Sequence, residues 1–327
     1  MIRSIVATLA LAICLLTQPA AAAPCVWAHG DYLYWHAIQT NMAYGVAVDD
    51  INTFSDLNVL NQKCDIQSAF RVGLGWKPSC VCWEATFDYT RYHNTVTGST
   101  FEPVIIASQL LAPNLGFIVG GDDLGGPAIS KWRLNLDMFD LNFALPLCFC
   151  CSCRVSPYIG LRGGIIHQNQ RISYVDFVDT NTAARVNATV NQRNNFSGVG
   201  PKAGFSALYP ILCGISLTGD LALSAAYGEF DWMDQSIIAV QGDGVVFGTT
   251  SKSKLSRFVP MLQALIGLDW RRCWCGYTLS IAAGYEVQYY WNTWRTQNSI
   301  IQSFYVSNVG FGDLALHGLT LRFGIGY

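Results

Sequence analysis

The last nine residues of the chain alternate between apolar side chains and small or polar ones without a break. Leu319, Leu321, Phe323, Ile325 and Tyr327 share one side of a strand, and the intervening residues, an arginine among them, share the other. Because chain ends usually fray, a strand that stays apolar up to the terminal residue needs a partner. A transmembrane β-barrel supplies one, since its last strand pairs with its first to close the wall.

The same period of two recurs upstream. Residues 215–228 and 276–291 alternate over lengths that exceed the ~5–6 residues of a typical soluble strand and fit the ~9–11 of a membrane-spanning one. A helix would repeat its apolar positions every three to four residues. The pattern predicts an all-β, antiparallel, up-and-down transmembrane barrel of about ten core strands, or 12–16 if the long loops hold further pairs. The other strands are expected near 28–40, 70–77, 83–90, 131–145, 155–172, 196–209, 257–271 and 314–327.

One predicted strand changes phase. In 131–145 the outward set is expected to change from even-numbered to odd-numbered positions after Met138, which predicts a β-bulge. The outward residues would then be Trp132, Leu134, Leu136 and Met138, followed by Phe139, Leu141, Phe143 and Leu145.

The N-terminus and the composition fit export to a membrane. Arg3, an apolar stretch of about a dozen residues and a run of alanines predict a signal peptide over 1–23, which leaves 24–327 as the barrel. No later apolar run is long enough for a membrane helix. Charged residues make up 13% of the chain, where ~25% is usual for soluble proteins. The net charge of −2 gives no reason to expect nucleic-acid binding.

The connections alternate between short and long. Short turns are expected near 77–82, 146–154, 210–214 and 271–276, and long polar segments near 41–67, 94–130, 174–195, 236–253 and 297–313. Outer-membrane barrels have short periplasmic turns and long extracellular loops, so both termini are expected in the periplasm.

Most cysteines fall in or beside the short turns. Three interpretations remain open: a soft-metal site, for which the spacing is unfavourable; disulfides between neighbouring turns; and disulfides to other chains. An oxidising compartment is consistent with all of them. The candidate crosslinking residues are Cys25, Cys80, Cys82, Cys148, Cys150, Cys151, Cys153, Cys213, Cys273 and Cys275.

Charged residues on the predicted inner face suggest a function. A charge at mid-membrane on the lipid face costs ~2–4 kcal/mol, whereas the lumen can hydrate or pair it. The inner charges would therefore form either a mixed-charge constriction that selects solutes or a salt-bridged, closed interior. The candidate pore-lining residues are Arg71, Arg133, Arg162, Asp137, Asp220, Asp269, Glu286 and Arg322.

No residue pattern indicates catalysis, a cofactor or a resident metal. The five histidines are dispersed, and none lies in a nucleophile-elbow or zinc-helix motif. We therefore expect no enzymatic activity.

Three stretches resemble the Legionella-type family of major outer membrane proteins: residues 30–35 (GDYLYW), 70–76 (FRVGLGW) and 157–163 (PYIGLRG). The resemblance extends over most of the mature chain apart from its loops, and it implies a pore-forming barrel in the bacterial outer membrane. The cysteines clustered in the short turns, which we call the rim cysteines, depart from the Legionella pattern. They are similar to those of chlamydial, cysteine-crosslinked porins.

The expected function is thus passive diffusion of small hydrophilic solutes, with rim cysteines that crosslink the protein into the envelope. The alternative is a structural or adhesive surface barrel with a closed lumen. Expected partners are outer-membrane lipid, sister barrels in a homo-oligomer, and disulfide-linked periplasmic or outer-membrane proteins.

Overall fold

The computed structural model describes most of the chain beyond the expected signal peptide. The described residues are 25–47, 58–62, 64–79, 81–100, 105–106, 118–120, 126–149, 153–179, 183–212, 214–241, 244–274, 276–299 and 307–327. The expected signal peptide, residues 1–23, lies outside them.

All regular structure in these ranges is β. None of the described residues forms a helix of the length and hydrophobicity needed to cross a membrane. In chain order the strands are β1 (Cys25–Gln39), β2 (Ala43–Ala47), β3 (Asn58–Asn61), β4 (Ile66–Lys77), β5 (Glu84–Thr100), β6 (Ile105–Ile106), β7 (Ile118–Gly120), β8 (Ala128–Ala144), β9 (Leu147–Phe149), β10 (Cys153–Asp179), β11 (Arg185–Leu212), β12 (Ile215–Gln241), β13 (Gly244–Trp274), β14 (Tyr277–Ser299) and β15 (Ser307–Gly326).

Ten of these strands form a closed antiparallel barrel, as the alternation predicts. Their order around the wall is β1, β4, β5, β8, β10, β11, β12, β13, β14 and β15, and β15 pairs back onto β1. Backbone hydrogen bonds join Val26 and Tyr327 in both directions at 2.9 and 3.0 Å. The chain terminus therefore lies in the closing seam. We call the end that holds residues 25 and 327 the terminal end, and the opposite one the far end.

Two of the turns at the terminal end have the same construction. β11 connects to β12, and β13 to β14, through two residues each. In each turn the second residue is a glycine with positive φ, 82° at Gly214 and 84° at Gly276, a conformation that other residues rarely adopt. These two connections make tight hairpins at this end.

Short strands add a small sheet at the far end. β2 pairs with β3 and β6, β6 pairs with β7, and β7 joins the end of β10. Ile105, Tyr174 and Phe177 are among the apolar residues buried under this sheet. The hydroxyl of Tyr174 donates to the carbonyl of Tyr44 at 2.6 Å, which ties the β2 segment to the barrel wall.

The barrel wall changes character along its length. Near the terminal end its outer face is apolar and its inner face polar, as in a membrane barrel. Further along, both faces reverse. On β10, for example, the outward residues change from Ile159 and Leu161 to His167 and Arg171, and the inward ones from Arg162 to Ile166. The far part of the barrel therefore has an interior of large apolar side chains interspersed with buried polar ones such as Gln168 and Gln170, and a polar exterior.

This reversal corrects the expected bulge in β8. The strand pairs with β5 and β10 without a register shift, so its facing does not change. Trp132, Leu134, Leu136 and Met138 point inward and are buried, whereas Phe139, Leu141 and Phe143 point outward. The apolar residues change faces because the two parts of the barrel need apolar side chains on opposite sides.

Candidate functional site in the barrel interior

A layer of polar side chains crosses the interior where the outer wall is apolar. Each of the ten barrel strands contributes to it, and most of these side chains are buried. The members are Asp31, Arg71, Thr90, Asp140, Arg162, Lys202, Asp220, Gln263, Glu286, Thr320 and Arg322. We refer to this set as the polar layer.

One half of the polar layer is built around Arg71. Its guanidinium donates to both carboxylate oxygens of Glu286, at 2.7 and 3.2 Å, and to Asp31 at 3.2 Å. Arg322 donates two further bonds to Asp31, each of 2.8 Å. Because Asp31, Arg71 and Glu286 are all nearly inaccessible to water, their charges must be compensated by one another.

Glu286 is the most highly connected member. Besides Arg71, it accepts hydrogen bonds from Gln288 at 2.8 Å, Thr320 at 3.0 Å and Gln263 at 3.2 Å. Its side chain is fully buried, and every partner is held on a barrel strand. The carboxylate is therefore solvated by the protein rather than by water.

The other half is built around Asp140. Arg162 binds it through two hydrogen bonds of 2.6 and 2.8 Å, and the Lys202 ammonium lies 3.2 Å from it. Arg162 also donates to the amide oxygen of Gln263, whose NH₂ reaches Glu286. Gln263 thus joins the two halves into one network across the lumen.

Apolar side chains fill the next level toward the far end. The largest fully buried ones are Trp35, Trp132, Trp294, Tyr92, Tyr290, Phe196, Leu33 and Met42. Trp35 connects this level to the polar layer, because its indole NH donates to Thr320 at 3.2 Å and Arg71 lies over its ring. The carbonyl of Met42 accepts a bond from Gln170 at 3.4 Å.

Accessibility shows how tightly the interior is packed. The inward-facing side chains of Trp35, Trp132, Trp294 and Tyr290 are 0% exposed. A water-filled lumen would leave inward-facing side chains in contact with water. Through the described residues, the interior at this level is packed like a protein core.

Six of the eight candidate pore-lining residues point inward: Arg71, Arg162, Asp220, Asp269, Glu286 and Arg322. Of these, Asp220 accepts from the Tyr158 hydroxyl at 3.0 Å, and Asp269 accepts from Arg271 at 2.7 Å. All six lie in ion pairs or hydrogen bonds within the wall and interior.

The other two candidates, Arg133 and Asp137, lie on the outer face of β8. Asp137 accepts a hydrogen bond of 2.6 Å from Tyr89 and lies 3.9 Å from Arg91 on the neighbouring strand. The expectation that they face the lumen was wrong, because it depended on the bulge.

Sequence reasoning missed two central members of the network, Asp31 and Lys202. β1 carries apolar residues on both faces beyond Asp31, so its pattern showed no clear inner side. The free-energy cost of a charge on the lipid face could have identified both residues. This cost is enough to predict that an Asp or Lys within a barrel strand points inward.

The described rim cysteines lie at the terminal end. Cys25, Cys82, Cys148, Cys153 and Cys273 are unpaired thiols at strand ends or in turns, and all but Cys153 are exposed. Cys64 is also unpaired but lies at the far end, where burial raises the pKa of its thiol. The remaining candidates, Cys80, Cys150, Cys151, Cys213 and Cys275, lie outside the described residues.

No cluster of three or more histidine, cysteine or acidic side chains suited to a metal ion occurs in the part of the chain that the structure describes.

Comparison with known proteins identifies one family. The family model described as Legionella pneumophila major outer membrane protein precursor matches residues 26–325. No curated protein matches the sequence.

Three solved structures align with the chain over most of its length. The outer membrane protease OmpT from Escherichia coli is 12% identical, covers 93% of this chain and 96% of its own, and has a TM-score of 0.41. The toluene transporter TodX of Pseudomonas putida is 7% identical, with coverages of 94% and 90% and a TM-score of 0.34. A FadL homologue from Pseudomonas aeruginosa is 9% identical, with coverages of 93% and 90% and a TM-score of 0.31.

Proposed function

The chain belongs to the Legionella major outer membrane protein family and is an outer-membrane β-barrel; from its filled interior we propose that it acts as a structural barrel of the bacterial envelope with a closed lumen. The observation that carries this proposal is the polar layer, in which buried ion pairs and hydrogen bonds link all of the charged side chains to neighbours in the interior, and the Arg71–Glu286 pair spans the two intervening strands β15 and β1. The apolar level next to it supports the same conclusion. Among the described residues, most side chains of both levels are buried, which supports a lumen without a water-filled path. The proposal includes no catalytic step.

The rim cysteines extend this proposal. Exposed thiols at the terminal end, which is the periplasmic end if the short turns follow the usual orientation, are available to partners in an oxidising compartment. We propose that they form disulfides to sister barrels or to periplasmic proteins. Such links would give a closed barrel a mechanical role in the envelope.

Electrical recording tests the closed lumen. Folded protein, verified by heat-modifiable migration on gels, is reconstituted into planar bilayers. We expect no discrete conductance steps, because ions would have to cross the apolar level and break buried ion pairs. Regular steps of one size from folded protein would overturn the proposal.

Passive diffusion of small solutes is the second candidate function. It is favoured by the mixed charge of the inner face and by Arg322 and Arg271, whose side chains are 40% and 47% exposed toward the terminal end. If channels are recorded, Arg71→Gln should shift their selectivity toward cations, since it removes a positive charge from the polar layer. An unchanged selectivity would mean that the ions take another route.

A further inference from the structure

Two histidines face each other on the outer wall across the closing seam of the barrel. His36 of β1 and His317 of β15 are directly opposed in the strand register, although 281 residues separate them in sequence. Both point away from the lumen, and both are partly accessible. His36 Nδ1 and His317 Nε2 are 3.3 Å apart.

Neighbouring groups determine which ring nitrogens carry protons. The carbonyl oxygen of Cys64, 2.9 Å from His36 Nε2, can only accept, so Nε2 donates and Nδ1 of the neutral ring has a free lone pair. His317 Nε2 then donates to that lone pair. His317 Nδ1 therefore accepts, and its donor is the Tyr285 hydroxyl at 2.6 Å.

We propose that His36 Nδ1 and His317 Nε2 form a binding site for a divalent late transition metal such as Ni²⁺, Cu²⁺ or Zn²⁺. Imidazole nitrogens suit these ions. Metal–nitrogen bonds of about 2.0–2.1 Å place two ligand nitrogens about 3.4 Å apart at the tetrahedral angle of Zn²⁺, and about 2.9 Å apart at the right angle that Ni²⁺ and Cu²⁺ prefer. The observed separation of 3.3 Å lies between these values, so binding needs ring rotation but little movement of the strands.

The outer partners of a metal site are already in place. A metal-bound histidine usually donates its other ring N–H to a carbonyl or another polar group. His36 does so to Cys64 without changing its tautomer. In His317 the proton moves from Nε2 to Nδ1, and the Tyr285 hydroxyl turns from donor to acceptor. The rearrangement releases no net proton, and water completes the coordination shell.

The surroundings suit a site open to water. Asp313, which points outward from β15 four residues before His317, accepts hydrogen bonds from Tyr289 and from the Asn292 backbone. A charged side chain on the outer wall is stable outside the apolar region of the membrane, where water can hydrate it. The histidine pair thus lies next to the boundary between membrane and water, within reach of dissolved ions.

Calorimetric titration with Ni²⁺ tests the proposal on the full folded chain in detergent. The protein carries no histidine tag, and its thiols are alkylated so that the cysteines cannot bind the ion. We expect one Ni²⁺ per barrel. Because loss of an outer partner alone costs about 10–100-fold in metal affinity, His36→Gln and His317→Gln should each weaken binding by at least about tenfold.

His167→Gln is the matched control. His167 also points outward, on β10, but it lies opposite Asn135 and Asn195 rather than another histidine. This variant should bind Ni²⁺ as the wild type does. A second measurement needs no variant: the electron paramagnetic resonance spectrum of bound Cu²⁺ should show coupling to two nitrogens. The proposal fails if the His36→Gln/His317→Gln double variant binds Ni²⁺ as tightly as the wild type, or if Cu²⁺ shows no nitrogen coupling.

Discussion

The stability of the folded barrel depends on individual buried charges that are paired in its interior. Glu286 is fully buried and compensates Arg71, while Gln263, Gln288 and Thr320 satisfy its remaining acceptor sites. Breaking a buried ion pair from one side leaves an uncompensated charge in a medium that solvates it poorly. Asp176 and Arg185 form an ion pair as well, but both side chains are about half exposed.

Glu286→Gln is therefore expected to destabilise the protein much more than Asp176→Asn. The first variant leaves Arg71 partly unpaired and should cost about 3–5 kcal/mol. The second removes a solvated pair and should cost about 0–1 kcal/mol. Urea unfolding of both variants in lipid vesicles, followed by tryptophan fluorescence, measures the difference. Equal losses would mean that water reaches Glu286 and that the polar layer is hydrated.

At the level of elements, β8 shows how one strand serves two environments. Its facing is constant, yet its apolar residues lie inside at one end and outside at the other. Leu136 is 0% exposed within the apolar interior, and Leu141 is 37% exposed on the outer wall. The two leucines are five residues apart on the same strand and differ in what surrounds them.

Leu136→Ala and Leu141→Ala form a matched pair. Leu136→Ala leaves a cavity among rigid neighbours and should cost about 2–5 kcal/mol. Leu141→Ala should cost clearly less, because mobile lipid chains fill the space that the side chain leaves. The free energies of unfolding of the two variants in the same lipid check this. A larger loss of stability for Leu141→Ala than for Leu136→Ala would mean that Leu136 faces outward and that β8 contains the expected bulge.

For the whole molecule, the barrel has two different ends. Exposed thiols collect at the terminal end, whereas the far end carries the small sheet and the polar outer wall. This asymmetry favours linkage to other proteins from the terminal side. Within the barrel, the described cysteines have no disulfide partners.

Thiol trapping in intact envelopes, followed by non-reducing gels, should therefore show disulfide-linked species that reducing agent converts to monomer. A variant with all ten candidate rim cysteines changed to serine should lose these species. Cys64→Ser should not, because Cys64 lies at the other end and is partly buried. Migration of the trapped wild type as a monomer would contradict the crosslinking proposal.

Much of the fold was predictable because alternation is a local property. Strands such as 276–291 and the C-terminal strand were assigned to the correct faces, and the count of about ten barrel strands is confirmed. The inner positions of Glu286 and Arg322 followed from the cost of placing charge in lipid. β8 was assigned wrongly because the rule that apolar residues face lipid was applied along its whole length.

The sequence by itself determined that the chain is a barrel of alternating strands, closed by its last residues, with cysteines collected in its short turns. Each of these features depends on neighbours along the chain. The tertiary structure decided which face of each strand meets which medium, because that depends on where the strand leaves the membrane. It also decided which of the inner charges pair with one another and that His36 meets His317. Both depend on strand register across the closed wall, which residues far apart in sequence set together.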